Sequence, residues 1–171
     1  MKDRIIELLK STGRENIDKV IEWMSKNGYF EAPASVVHHN NFAGGLMKHS
    51  LEVYEEAVKL NDSLQTSFSR NSIIICALLH DICKSDQYFI GADGKPHSDR
   101  SKISRGHGRR SMFIVKKACQ VPLSYDEEMA IWWHMGIHEA SIDRFPSEFT
   151  DSKSVGLCEL IQKADGIAAR K

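Results

Sequence analysis

An all-α fold is predicted by three features of this sequence. Apolar residues recur at intervals of three and four in most of the segments long enough to show a period. Residues that cap, turn or stop helices fall between those segments. Strand-like patterning is confined to Tyr88-Phe89-Ile90. The prediction is one bundle of about seven helices with at most a small hairpin.

The first helix carries Ile5, Ile6, Leu8 and Leu9 and ends near Gly13; the second carries Ile17, Val20, Ile21 and Met24 and stops at Asn27-Gly28. Residues 31–45 contain Pro33, His38-His39, Asn40-Asn41 and Gly44-Gly45 and read as a loop. A third helix is predicted from about Leu46 to Leu60, with Val53, Ala57 and Leu60 inward. Asn71 or Ser72 can cap the next, whose apolar run Ile73–Leu79 leads into His80-Asp81. That helix is hydrophobic nearly all round and should be central.

Tyr88-Phe89-Ile90 followed by Gly91-Ala92-Asp93-Gly94 reads as a small hairpin or a loop. Helix resumes after Gly106-His107-Gly108 and breaks at Pro122. Ser124 and Glu127 form a capping-box pair for a helix carrying Met129, Ile131, Trp132, Trp133 and His134. Residues 140–154 look polar and irregular, and a last helix runs from about Val155 to Ala169. Trp23, Trp132 and Trp133 fit core positions better than stacking platforms.

The chain has 171 residues, which suits one domain, and its 23 basic and 23 acidic residues cancel. A neutral chain has no global field to drive non-specific binding to nucleic acid or membranes. Cys76, Cys83, Cys119 and Cys158 form no Cys-x-x-Cys pair and read as reduced, buried thiols of a cytoplasmic protein. The charged N-terminus is no signal segment, and the apolar run at residues 73–79 is too short for a membrane span.

Four features carry chemistry: His49, the pair His80-Asp81, His134 and Asp165. Each sits on a different predicted helix, on or beside its apolar face. Buried carboxylates are costly unless a cation accompanies them. Imidazole and carboxylate are the usual ligands of borderline divalent metals, and bundles build metal sites from residues on facing helices. Neighbours on a helix diverge by about 100°, so His80 and Asp81 can flank one ion only near a helix end. Lys84 would stand at the rim. Taken singly, each histidine is more often a hydrogen-bonded core residue than a ligand; one metal centre explains all of them at once.

Gly44-Gly45-Leu46-Met47-Lys48-His49-Ser50, Leu78-Leu79-His80-Asp81-Ile82-Cys83-Lys84 and Ala164-Asp165 together resemble the HD superfamily of metal-dependent phosphohydrolases. The resemblance covers about residues 36–170, the HD core, with residues 1–35 as a helical extension of the same domain. It implies an all-α fold, hydrolysis of phosphate esters, often of nucleotides, and a metal shell of His49, His80, Asp81 and Asp165. Some members bind two metals, and His107 and His134 look like the added ligands. Met135 stands where such members often have a second histidine and is a poor ligand for a hard metal; His138 could substitute. The Gly-Gly-Leu-x-x-His-Ser start also resembles the HD domain of bacterial 3′→5′ exoribonucleases. Arg144-Phe145-Pro146 lacks the glycine of the Gly-Tyr-Pro motif that marks the cyclic-dinucleotide branch.

The expected cofactor is one or two divalent ions, among Mn, Fe, Zn, Ni, Co and Mg. The expected substrate is a small nucleotide or phosphomonoester; a membrane or long nucleic acid is not expected as a partner, and a homo-oligomer stays open. Asp81 would orient the attacking water. Lys84, with Arg109 or Arg110, would neutralise phosphate oxygens. The two arginines belong to a segment, residues 98–120, with seven basic residues and one acid, which reads either as a phosphate clamp or as a solvated face balancing Asp126-Glu127-Glu128. His38, His39 and His97 read as surface loop residues. Two other functions remain: a 3′→5′ exonuclease or phosphodiesterase on single-stranded nucleic acid, and a non-catalytic nucleotide-sensing domain.

Overall fold

The computed structural model describes residues 1–65, 67–102, 106–139 and 141–171. Its helices are α1 (Lys2–Ser11), α2 (Ile17–Lys26), α3 (Gly45–Ser63), α4 (Arg70–Leu79), α5 (His107–Phe113), α6 (Tyr125–Trp132), α7 (Pro146–Ser152) and α8 (Gly156–Ala168). An antiparallel hairpin of β1 (Tyr88–Ile90) and β2 (Pro96–Ser98) pairs Tyr88 with Ser98 and Ile90 with Pro96.

Why α4 lies at the centre follows from its composition. Every residue from Ile73 to Leu79 is buried, and the helix packs against α1, α3, α6 and α8. Each such aliphatic side chain contributes about 1.5–3 kcal/mol by leaving water. α1 and α2 add Ile5, Leu9, Ile17, Val20 and Met24 to the same apolar cluster, so the N-terminal helices are part of the core. α3 and α8 pack along one another, and α6 packs on α8.

The structure differs from the sequence expectation in two elements. Ser69 caps α4, its hydroxyl accepting the Ser72 N–H at 3.1 Å. Asn71 is spent elsewhere, its amide donating to the Thr12 carbonyl at 3.1 Å and tying α4 to the end of α1. Within the stretch expected to be irregular, residues 146–152 form α7. Pro146 at its first turn presets a helical φ. Phe145 and Phe149, four apart, lie against Trp132 and Trp133 at ring distances of 5.1 and 5.3 Å; this packing turns a weak local preference into a helix. Ala140, the start of that stretch, and Arg105, counted in the basic segment, lie outside the described residues.

Other expectations match. Ser124 and Glu127 form the capping box of α6. All four cysteines are free and buried. Trp133 is fully buried, and Trp132 stacks on it at 4.9 Å. No helix among the described residues is long and apolar enough to cross a membrane.

Candidate metal centre

The end of α4 makes the site. The helix stops at Leu79; His80 is its C-cap, and Asp81 leaves helical geometry with φ −110° and ψ 17° before a short turn at Ile82–Lys84. The two adjacent side chains are thereby freed from helical divergence and meet the same point. His49 comes from α3, Asp165 from α8, and His134 from just beyond α6.

Four of the predicted residues converge. His49 Nε2 stands 3.3 Å from His80 Nε2 and 3.0 Å from Asp165 Oδ1. His80 Nε2 stands 3.3 Å from Asp81 Oδ2 and 3.9 Å from Asp165 Oδ1. His134 joins from the far side, its Nε2 3.5 Å from Asp81 Oδ1. Two triads of potential ligands result: His49, His80 and Asp165, and His80, Asp81 and His134.

The donor set fits a cation. The Nδ1 of His80 lies 2.9 Å from the Ala77 carbonyl, and the Nδ1 of His134 lies 2.8 Å from the Ile131 carbonyl. A carbonyl only accepts, so each Nδ1 carries a proton, and each Nε2 points to the centre, where it offers a lone pair to a cation. His134 Nε2 and Asp81 Oδ1 are buried with no hydrogen-bond partner. Lone pairs and carboxylate oxygens gathered without donors are what a divalent ion satisfies. Two ligand atoms on one ion at about 2.1 Å stand about 3.0–3.4 Å apart, close to the spacing found between His49 and His80.

The local charges act together. Burial pushes the Asp81 carboxyl up, but Lys84 and His80 outweigh it and hold the group well below the usual range. Asp165 is also held low against burial, chiefly by its contact with His49. Burial pushes His49 down, and the Asp165 contact only partly offsets this. For His134 the order reverses: burial lowers it, but Asp81 raises it above the ordinary value. Lys84 Nζ pairs with Asp81 Oδ2 at 2.6 Å.

Three other predicted residues are placed differently. His107, at the start of α5, is half-buried beside Cys83, Nδ1 to Sγ 3.9 Å, and is in neither triad. Arg110 makes a two-bond pair with Asp86 at 2.8 Å and donates to the Cys83 carbonyl at 2.7 Å. Arg109 lies over the Phe145 ring at 4.9 Å. Each arginine would have to leave its present partner to reach a phosphate. His138 is exposed on the turn after His134.

One residue that reads from the sequence as surface belongs near the site. His39 is half-buried, its ring 4.7 Å from that of His49, and its Nε2 is buried without a partner. The loop is pinned there. Asn40 binds Lys48 and Glu52 of α3 at 3.1 Å each, and a Cβ on Gly45 would collide with the Asn40 carbonyl oxygen. The signal available in the sequence was the Gly44-Gly45 pair, which marks a close backbone approach just after the two histidines.

Fold and site together define an all-helical protein with a buried His/Asp cluster, able to hold a cation, at the end of its central helix. A family model described as the HD domain matches residues 46–170, and the chain belongs to the HD domain family. It is also 35% identical over 98 residues to the dihydroneopterin 2′,3′-cyclic phosphate phosphodiesterase of Methanocaldococcus jannaschii, a match covering 55% of this chain and 38% of that protein. No solved structure matches significantly.

Proposed function

We propose that the protein is a metal-dependent phosphohydrolase acting on a small phosphate ester. The observation that carries this is the set of unpartnered acceptors: His80 and His134, each fixed by a backbone carbonyl, aim Nε2 at Asp81, whose Oδ1 has no donor. The partial match to a cyclic phosphate phosphodiesterase supports a small phosphodiester as the substrate.

His49, His80, Asp81 and Asp165 would hold one divalent ion, and His134, with His107 brought nearer, would hold a second beyond Asp81. The ion supplies Lewis acidity and lowers the pKa of water. Asp81, aligned by Lys84 on one oxygen, keeps its other oxygen to orient the attacking water. Lys84, raised by Asp81 above its ordinary pKa against the effect of burial, stays an ammonium and offsets charge developing on phosphate oxygens. Arg109 and Arg110 are proposed to add to this only on exchanging their protein partners for substrate. The whole chain acts as one domain, residues 1–35 forming a helical extension on the 36–170 core, and four free thiols support a cytoplasmic location.

The test is a metal-supplemented comparison of nucleoside cyclic phosphates, mononucleotides and a single-stranded oligonucleotide across a salt series. Turnover of a small ester with weak salt dependence is expected. Salt-sensitive shortening of the oligonucleotide with no small ester consumed would make it a nuclease instead.

A further inference from the structure

His107 stands at the first position of α5. What fixes it there comes from the segment that supplies His134. Beyond α6 the chain passes His134, turns at residues 136–138 and reaches Glu139, which is 2% exposed. The Glu139 carboxylate extends to α5. Its Oε2 accepts the Gly108 N–H at 3.2 Å, and its Oε1 accepts the Ser141 hydroxyl at 2.9 Å. The Ser141 oxygen in turn accepts the Trp132 indole N–H at 3.1 Å. Trp132, Ser141 and Glu139 thus form one hydrogen-bonded line that ends on the α5 backbone, at the residue after His107.

The fit is close. A Cβ on Gly106 would collide with Glu139 Oε1, and one on Gly108 with the Trp132 carbonyl oxygen. α5 therefore begins with its backbone pressed on the end of α6. The first N–H groups of a helix have no partner within it, and Gly106, at the N-cap of α5, has no side chain to supply one. Glu139 supplies it from a distant part of the chain. A carboxylate is too costly to bury for packing alone; here both of its oxygens are used. Burial pushes the His107 imidazole below its ordinary value, and Asp81 and Glu139 both act against this. The ring thus lies in the field of both carboxylates.

We propose that Glu139 is a positioning residue for the second ion: through the Gly108 N–H it sets where His107 stands relative to Asp81 and His134. This rests on the two-ion part of the phosphohydrolase reading. Glu139 and His134 belong to one short segment, so holding α5 from Glu139 keeps the two added ligands in register with each other. Without that hold the first turn of α5 can shift and carry His107 away. His49, His80 and Asp165 come from α3, α4 and α8 and do not depend on it. The first ion should therefore be spared, which separates positioning from general support of the fold.

Titration with manganese(II), followed by calorimetry and paramagnetic resonance, tests this. The wild type should take up two ions in two steps, the second giving the spectrum of a spin-coupled pair. Glu139→Met keeps the side-chain volume and removes both acceptors. It should leave the first step in place and weaken the second at least about tenfold. Glu139→Gln keeps an oxygen for the Gly108 N–H without the charge and should recover most of that loss. Ser141→Ala, a milder change to the same carboxylate, should weaken the second step by a smaller factor, and it decides the matter if Glu139→Met does not fold. An unchanged second step in the deciding variant, or equal weakening of both steps, overturns the proposal. So does a Glu139→Gln protein no better than Glu139→Met, which would show that the charge acts on the ion directly. Uptake of a single ion by the wild type would end the two-ion reading and the proposal with it. Hydrolysis of bis(p-nitrophenyl) phosphate by the same sample would then show whether a one-ion phosphohydrolase stands.

Discussion

The Lys84 ammonium holds one oxygen of Asp81 at 2.6 Å, while the other oxygen faces His134 and has no donor. The carboxylate is thus divided between a permanent cation and an open coordination position. Lys84→Met removes the permanent cation only. The variant should bind metal at least as well as the wild type, since a competing positive charge is gone, yet lose at least about tenfold in turnover. Metal content by elemental analysis and kcat on a small ester separate the two effects. Loss of both together would mean that Lys84 acts only by holding Asp81 in place.

Asp81 and Asp165 are buried acids packed against His80 and His49, with Lys84 paired to Asp81. An ion that binds only the folded state adds RT ln(1 + [L]/Kd), about 2.7 kcal/mol at a hundredfold excess over Kd. Chelation should therefore lower the melting temperature by several degrees, reversibly. Asp81→Ala should abolish hydrolysis and most of that metal-dependent gain. Its metal-free melting temperature should equal or exceed that of the metal-free wild type, because a buried charge has gone. A melting curve indifferent to chelator and metal would remove the metal from the site.

Much of this centre was legible in the sequence because it rests on local rules. A nearly all-apolar helix must be central, and one that ends in His-Asp delivers both side chains to the core. His49 and Asp165 lie on helices whose inward faces their apolar neighbours define. What was not legible depends on contacts between distant segments. His39, in the 31–45 loop, looked solvated because only the approach of Asn40 to Gly45 brings it inward. α7 looked irregular because its helical state depends on Trp132 and Trp133. The pairing of Arg110 with Asp86, 24 residues away in sequence, leaves no periodic trace.

A second buried ion pair, away from the His/Asp cluster, should contribute to acid stability. Glu127 is buried and takes two bonds from Arg14, at 2.6 and 2.9 Å, together with the Ser72 hydroxyl and the Ser124 N–H. Burial alone would raise its pKa, but these partners lower it below 4.5. A carboxyl depressed in the folded state contributes stability above its unfolded pKa and loses it as pH falls through the folded value. Glu127→Gln should cost about 2–4 kcal/mol at pH 7, and the cost should shrink below about pH 4. Denaturant midpoints at the two pH values check this, and an equal cost at both would show that shape rather than charge matters.

Gly45 should be the least replaceable residue of the loop-to-α3 junction. Its φ is ordinary, so an alanine there is not strained by its own backbone; Gly44, with φ +78°, is the position where strain applies. The obstacle at Gly45 is space: a Cβ would run into the Asn40 carbonyl oxygen, which already accepts the Ala34 N–H at 3.0 Å. Backbone cannot yield as a flexible side chain does, so Gly45→Ala must push the loop from α3 or tilt the helix's first turn. Either movement reaches the site, because His49 is one turn further along α3 and His39 adjoins Asn40. The expected cost is about 2–4 kcal/mol, with metal affinity falling alongside stability. Gly44→Ala, strained but with room to adjust, should cost about 1 kcal/mol and leave metal affinity near the wild-type value. Metal titrations followed by the imidazole NMR signals of His39 and His49 give the readout: in the wild type both should shift with the ion, and in Gly45→Ala the His39 response should weaken. A Gly45→Ala protein with unchanged stability and an unchanged His39 response would show that the loop does not depend on this contact.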